Sequence, residues 1–422
     1  MTAHTPPLPS VWVWDVFCHV IDNHGDLGVC WRLSQALARL GHTVRLYLDH
    51  PEDLKWMAPH WAEPHGQPPS LHGVSVAPWP SDILDLPEER TPAQGVIEAF
   101  GCELPYSYLK HLGERLLQTT ATSVVWINLD YMSAEAFYQS IHRLPSPQLS
   151  GPASGHIKWF YQPGFTPMSG GLLRPHPERR VSRALDLPPS IELANTPPNS
   201  TVSTVSTLST PSPAPKSRPW VLFCYEPPAL KDLLLQLSLF PTPVALQITP
   251  GRATRHALKT LEAMGADLPA QCLAGLASTD SMGSLNFGSL KLEFLPYMDQ
   301  AEFDQLLSLS ALNFVRGEDS LVQAIWAKRP FIWQIYPQDD GAHGPKLEAF
   351  LQTLQAPESL QRFMRVWNGL TQEALPELTP AVLEGWQVWS EDYALGMQNV
   401  PDLAQELVRF AQHIMAPSKP VD

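Results

Sequence analysis

The stretch from residue 11 to residue 48 restricts the possible folds more than any other part of the chain. Val11 to Cys18 (VWVWDVFC) is a short apolar run rich in strand-forming residues. Residues 29–40 (VCWRLSQALARL) place Leu33, Ala36, Leu37 and Leu40 at helical spacing, and Gly41 follows as a helix terminator. Val44 to Leu48 (VRLYL) reads as a second strand. Strand, helix and strand in this order predict a βαβ unit, and therefore a parallel sheet. In such sheets ligands bind in loops at the carboxyl ends of the strands. The polar loop 19–28 (HVIDNHGDLG) has that position.

The alternation continues along the chain. Val124 to Leu129 and residues 157–161 (IKWFY) read as buried strands, the latter followed by a turn at Gln162-Pro163-Gly164-Phe165. Between Asn195 and Pro215 the composition changes, and 15 of 21 residues are Ser, Thr or Pro. Such a segment cannot bury enough surface to offset its ordering entropy, so a disordered linker or surface insertion is expected. Asn199-Ser200-Thr201 within it matches a glycosylation sequon, which a cytoplasmic chain would not present to that machinery. Strands resume at Val221 to Tyr225, Val244 to Ile248, Leu292 to Leu295, Leu312 to Val315 and Phe331 to Tyr336. Helices are expected at about 229–239, 252–264 and 299–309, and from Asp319 or Ser320 to about Ala327. The expected organisation is α/β throughout: an N-terminal Rossmann-like domain over 1–185, a Ser/Thr/Pro-rich linker over 186–218, and a second Rossmann-like domain over 219–400. A last helix in 401–422 would pack back on the first domain.

Composition removes other classes. A chain of 422 residues is too long for one ordinary domain, and 44% hydrophobic residues supply ample core. The balance of 28 basic and 42 acidic residues gives a net charge of −14, which disfavours a general nucleic-acid binder. No run approaches 18 apolar residues, so neither a transmembrane helix nor a membrane partner is expected. The first basic residue is Arg32, so the start lacks the cationic region of a signal peptide. Five scattered cysteines without a C-x-x-C read as reduced thiols in the cytoplasm.

Three clusters could carry chemistry. In Asp22-Asn23-His24-Gly25-Asp26-Leu27-Gly28, two carboxylates four residues apart precede a helix, and the glycines permit close approach to a ligand. They could act as a general base or clamp a cation; alternatively Asp26 caps the helix and Asp22 is a solvated loop acid. The loop is not G-x-G-x-x-G, so a dinucleotide fingerprint is absent. In Arg316-Gly317-Glu318-Asp319-Ser320 a strand runs into a helix, and a helix N-terminus beside an arginine suits a diphosphate. Glu318 could accept from sugar hydroxyls; the plainer reading is a capped helix with a surface ion pair. Third, Tyr297 and Gln300, and Tyr336 with Gln338, follow strands where an aromatic ring could stack on a base or simply pack. His42 and His343 show no metal-ligand spacing and read as structural or solvated.

Two long stretches together carry a resemblance. Asp15-Val16-Phe17-Cys18-His19-Val20-Ile21-Asp22-Asn23-His24-Gly25-Asp26-Leu27-Gly28-Val29-Cys30-Trp31-Arg32-Leu33 resembles the opening of the bacterial protein-arginine rhamnosyltransferases that modify translation elongation factor P. Asn313-Phe314-Val315-Arg316-Gly317-Glu318-Asp319-Ser320, with Gln323, Ala324, Trp326 and Ala327 and then Pro330 to Gln338, resembles a second motif of the same family. The resemblance spans nearly the whole chain except the Ser/Thr/Pro segment. His24 departs from it, standing where the family usually has Phe or Tyr, and the Ser/Thr/Pro segment is longer than usual.

This resemblance implies a GT-B glycosyltransferase: two facing Rossmann-like domains with an interdomain cleft. It implies a dTDP-β-L-rhamnose donor, no metal or other cofactor, and an arginine of elongation factor P as acceptor, activated for rescue of ribosomes stalled at polyproline. Carried over, Asp22, Asp26 and Glu318 are catalytic, with Asp26 the base. Asn23 and Gly25 bind substrate. Arg316, Asp319 and Ser320 meet the donor's diphosphate and sugar, and Phe223, Tyr225, Tyr297, Gln300, Tyr336 and Gln338 lie on its nucleotide side. The alternatives are a GT-B-like enzyme with another nucleotide sugar or acceptor, or a non-catalytic nucleotide-binding partner of the translation machinery.

Overall fold

In the computed structural model the described residues are 11–20, 25–58, 70–71, 73–79, 91–118, 124–175, 190–192, 218–266, 268 and 283–416. Asp22, Asn23, Cys272 and the Ser/Thr/Pro segment 195–215 lie outside them. The chain divides into two units: Met1–His176 with Gly396–Asp422, and Pro177–Leu395.

The first unit is built on an eight-stranded sheet. Its strands are β1 (Val13–Cys18), β2 (Thr43–Leu48), β3 (Ser70–Leu71), β4 (Val74–Pro78), β5 (Gly95–Ala99), β6 (Val125–Leu129), β7 (Pro145–Pro147) and β8 (Ile157–Tyr161), in the order β3-β4-β2-β1-β5-β6-β8-β7. Only β3 on β4 and β7 on β8 pair antiparallel. Helices α1 (Gly25–Arg39), α2 (Leu54–Met57), α3 (Tyr106–Gln118) and α4 (Ala136–Ile141) connect them. The buried positions of β1 explain its near-continuous apolar sequence, since parallel strands are covered on both faces. The charges inside this sheet are paired: Asp15 accepts from Arg45 Nε at 2.5 Å and from the Tyr108 hydroxyl, and Glu98 from Trp126 Nε1 at 3.0 Å and Lys158 Nζ at 3.3 Å. Chain order runs outward from β1 through β2 to β4, then restarts at β5 on the other side of β1. The carboxyl ends of β1 and β5 therefore form a topological switch point, where open α/β sheets leave a crevice.

The second unit repeats the plan. Its strands are β9 (Ser190–Glu192), β10 (Trp220–Leu222), β11 (Val244–Ile248), β12 (Gly283–Phe287), β13 (Leu290–Phe294), β14 (Leu312–Arg316) and β15 (Phe331–Gln334), in the order β15-β14-β10-β11-β13-β12-β9. Its helices are α5 (Leu230–Ser238), α6 (Arg252–Ala263), α7 (Gln300–Leu309), α8 (Gly317–Trp326), α9 (His343–Leu354), α10 (Glu358–Trp367) and α11 (Pro380–Gly396). The order reverses between β10 and β14, which sets the switch point of this unit at the ends of those two strands.

The last helix, α12 (Leu403–Met415), belongs to the first unit. Leu403, Ala404, Leu407, Val408, Phe410 and Ala411 join the buried cluster formed by β1, α1 and their neighbours. Asp402 caps it by accepting from Gln405 N–H at 3.0 Å, and Arg143 pairs with Glu406 at 3.0 Å. No helix among the described residues is long and apolar enough to cross a membrane.

Two expected boundaries move. The strand read as Val221 to Tyr225 ends at Leu222, so Phe223, Cys224 and Tyr225 form the loop at its carboxyl end. The helix expected from Asp319 or Ser320 begins at Gly317, directly after β14. Gly317 has φ +61°, a conformation that glycine adopts without the strain other residues incur, and this permits a strand to turn into a helix with no loop.

Candidate active site

Four strand ends of the second sheet supply the sequence-predicted residues: Phe223 and Tyr225 after β10, Tyr297 and Gln300 after β13, Arg316 to Ser320 at the β14–α8 junction, and Tyr336 and Gln338 after β15. The loop after β11 contributes Gly251 and Arg252, which the sequence reading did not single out. The signal was present, because Arg252 opens a helix at the carboxyl end of a parallel strand.

Arg316 is the centre of this cluster. It is 5% exposed, with its guanidinium carbon 4.6 Å from the centroid of the Phe223 ring and 4.5 Å from that of Tyr225. No carboxylate pairs with it among the described residues, and its Nη1 is buried without a hydrogen-bond partner there. Cation–π contact with two rings holds such a cation without spending its charge on an anion. The charge is felt nearby: burial pushes the Cys224 thiol well up, and the Arg316 charge opposes that rise. Ser320 fixes the junction itself, its hydroxyl accepting from Arg316 N–H at 3.1 Å and donating to the Arg316 carbonyl. Trp333 Nε1 donates to the Gly317 carbonyl at 2.7 Å. The N-terminal N–H groups of α8 thus open beside an arginine, an arrangement that concentrates positive potential on one spot.

The surrounding side chains are tied to this spot. Gln300 Nε2 donates to Asp319 Oδ2 at 3.4 Å, and Lys346 Nζ donates to Glu318 Oε1 at 3.1 Å. Tyr225 meets Tyr336 edge-on at 5.4 Å, and its N–H donates to Gln334 Oε1 at 2.8 Å. Arg252 lies 4.9 Å from the centroid of the Tyr225 ring and grips Glu226 with two hydrogen bonds, of 3.0 and 2.6 Å; that grip holds the Glu226 carboxyl below its ordinary range. Phe223, Tyr225, Arg316 and Tyr336 are therefore brought together, as are Gln300 with Asp319. Gln338 is exposed, its N–H donated to His343 Nδ1 at 3.1 Å, and it does not join this network. His343 is structural in that role.

In the first unit Gly25 opens α1, and Asp26 is its second residue, 3% exposed. It stands inside the first turn rather than before it, where the helix's positive end favours a carboxylate. Burial of an ionisable oxygen is expensive, so a carboxylate kept here is a candidate for chemistry. The strand end before it is fastened by Asp49, which accepts from Val20 N–H at 3.1 Å and pairs with His19 at 2.7 Å. Cys18 and Cys30 lie beneath. The hydrogen bond with Cys30, burial, and the Cys30, Asp26 and Asp49 charges push the Cys18 thiol well up; burial raises Cys30, against the hydrogen bond from Cys18. Neither is poised as a nucleophile. The four described cysteines are free. Among the described residues no three His, Cys, Asp or Glu side chains gather as a metal site requires.

Residues 14–412 match the family described as Elongation-Factor P (EF-P) rhamnosyltransferase EarP. The chain belongs to that family. A protein-arginine rhamnosyltransferase of Pseudomonas aeruginosa is 35% identical over 418 residues, covering 94% of this chain and 98% of its own length. One from Neisseria meningitidis serogroup B is 30% identical, covering 96% of this chain and 98% of its own. A solved structure on the structural basis for EarP-mediated arginine glycosylation of translation elongation factor EF-P has 22% identity and a TM-score of 0.54, over 95% of this chain and 99% of its own. It shares the fold, the GT-B architecture of two Rossmann-like domains. Membership of the EarP family makes this chain an enzyme of the protein-arginine rhamnosyltransferase class.

Proposed function

We propose that this EarP-family chain moves L-rhamnose from dTDP-β-L-rhamnose to one arginine side chain of translation elongation factor P, with inversion at the anomeric carbon. The observation that carries the reading is the Arg316 cradle at the β10–β14 switch point. There a cation without a carboxylate partner among the described residues stands beside the N-terminus of α8. A diphosphate seated there finds a guanidinium and helix N–H donors aimed at one place.

The acceptor poses the harder problem. An arginine side chain is protonated at any physiological pH, with a pKa above about 12, and its lone pairs are delocalised. Asp22 and Asp26 grip the guanidinium by bidentate hydrogen bonds and orient one nitrogen toward the anomeric carbon. As the C–N bond forms, the bond to the diphosphate oxygen breaks and Asp26 takes the proton. The charge that grows on the leaving diphosphate is met by Arg316 and the α8 N-terminus, so no metal or other cofactor enters this scheme. One displacement converts β-L-rhamnose into α-L-rhamnosyl arginine. The buried carboxylate of Asp26 supports this division of labour, because a protein that merely held a nucleotide would have no use for an acceptor base. The free thiols among the described cysteines, a nucleotide-sugar donor and a translation factor as acceptor support a cytoplasmic reaction, and the modified factor would act on ribosomes stalled at polyproline.

Intact-mass analysis of elongation factor P, incubated with the protein and dTDP-rhamnose, tests the reading. A gain of one deoxyhexose on an arginine is expected. No gain, or a gain only with a UDP- or GDP-sugar, would overturn it.

A further inference from the structure

We infer that Lys346 is a positioning residue of the donor site, acting through Glu318. The inference rests on the donor reading above. Lys346 comes from α9, the helix after β15, and reaches the first turn of α8, donating to Glu318 Oε1 at 3.1 Å. Both side chains are mostly sheltered, 22% and 16% exposed, so their attraction is poorly screened.

The sequence around Glu318 explains why a cation is needed there. Glu318 and Asp319 put two carboxylates in the first turn of the helix whose N-terminus faces the diphosphate. An acid in a first turn favours the helix dipole, but beside a polyanion it repels the ligand. Arg316 makes no ion pair with either among the described residues. Asp319 receives the Gln300 amide, a neutral donor. Glu318 receives Lys346, so its charge is balanced by a group from a different element. The carboxylate then keeps one fixed orientation, as a group that touches sugar hydroxyls must.

The strand that leads into α9 is itself fixed. Asn368 accepts from Ile335 N–H at 3.0 Å and donates to the Trp333 carbonyl at 2.9 Å, and Trp333 holds Gly317 at the start of α8. The N–H of Gln338 is held by His343, three residues before Lys346. These hydrogen bonds tie the start of α8 to the end of β15, and the end of β15 leads into the helix start from which Lys346 projects.

A double-mutant cycle on the full-length protein decides the matter. It uses Lys346→Met, Lys346→Arg, Glu318→Gln and the Glu318→Gln/Lys346→Met pair. Calorimetric affinity for free dTDP and steady-state kinetics with dTDP-rhamnose are the readouts. Lys346→Met should weaken dTDP about tenfold and raise the donor KM in parallel, within the usual coupling of side chains in one ion-pair network. In the Glu318→Gln background, where the carboxylate that Lys346 pairs with is gone, the same change should cost less than about twofold. Lys346→Arg should stay within about threefold of the unaltered protein, because it keeps the charge. Equal losses in both backgrounds, or dTDP affinity unchanged in Lys346→Met, would overturn the inference. So would a fall in melting temperature with kinetics intact, the mark of a strut. The donor reading is checked apart by Arg316→Ala: if that variant keeps its dTDP affinity, the site itself is misplaced. If it loses affinity while the cycle is additive, the Lys346 inference alone fails.

Discussion

Two strand-to-helix junctions, one in each Rossmann-like unit, use the same ingredients in opposite designs. In the first, β1 ends at Cys18 and α1 begins at Gly25, with six residues between; in the second, β14 ends at Arg316 and α8 begins at Gly317, with none. Each helix starts with a glycine followed by an acid, Asp26 in one and Glu318 in the other. The first junction presents a buried carboxylate, the second a buried guanidinium seated between two rings. The difference matches the two ligands proposed. A diphosphate has the same shape every time, and a junction with no loop, locked by Ser320 and Trp333, can meet it without reorganising. The acceptor arginine arrives on another protein, and the junction proposed to meet it spends six residues where the other spends none.

The most damaging test of this contrast removes the acid. Asp26→Asn keeps the shape and removes the proton acceptor, so turnover should fall by about 10² to 10⁴, the usual worth of positioned acid–base catalysis. Donor affinity should stay close to normal and the melting temperature should not drop, since a buried charge is lost rather than gained. Near-native turnover would leave Asp26 a mere helix-end acid and dissolve the comparison. Arg316→Ala attacks the other junction. Free dTDP should bind about ten- to a hundredfold more weakly, as expected for a charge-assisted contact of about 1.5–3 kcal/mol. Calorimetry with dTDP and thymidine in parallel sharpens this: thymidine, without phosphates, should lose little.

Smaller effects probe how rigid the second junction must be. Trp333→Phe deletes the bond to the Gly317 carbonyl and should cost about 1 kcal/mol in stability, with a few-fold rise in donor KM. A melting shift with KM unchanged would show that the junction tolerates play. The smallest effect is expected from removing residues 195–215. The closure entropy of a connection changes little with its length, so turnover should remain within about a few-fold. A severe loss with folding intact, read from circular dichroism and rates together, would show that this segment touches the reaction.

The fold was legible wherever hydrophobic period and local turn chemistry agree. Val244–Ile248 and Ile157–Tyr161 have the same bounds in sequence and structure because both are short, apolar and bracketed by breakers. Phe223 to Tyr225 misled the reading, since an apolar run does not disclose where sheet pairing stops. The start of α8 was placed two or three residues late because Gly317 looked like loop material, whereas its positive φ is what lets the helix begin. α3, α9, α10 and α11 went unread beside the stronger βαβ signals. At the site, the residue types at strand ends were readable one by one. Their partnerships were not: Arg316 with Phe223, Tyr225 with Gln334, and Glu318 with Lys346 join residues far apart in sequence, and no periodicity encodes them.

The placement of α12 bears on how the protein is made. Six of its apolar side chains sit in the core of the first unit, yet a ribosome adds them only after the whole of the second unit. At about 5–20 residues per second, the first sheet waits on the order of tens of seconds for the helix that completes it. Throughout that time an apolar face over β1 and α1 lacks its cover. The second unit, contiguous in sequence, can close earlier. The nascent chain therefore matures out of order, its later domain before its earlier one. A chain stopped after Asp402 would keep the whole second sheet and strip the unit that holds Asp26 of its last helix.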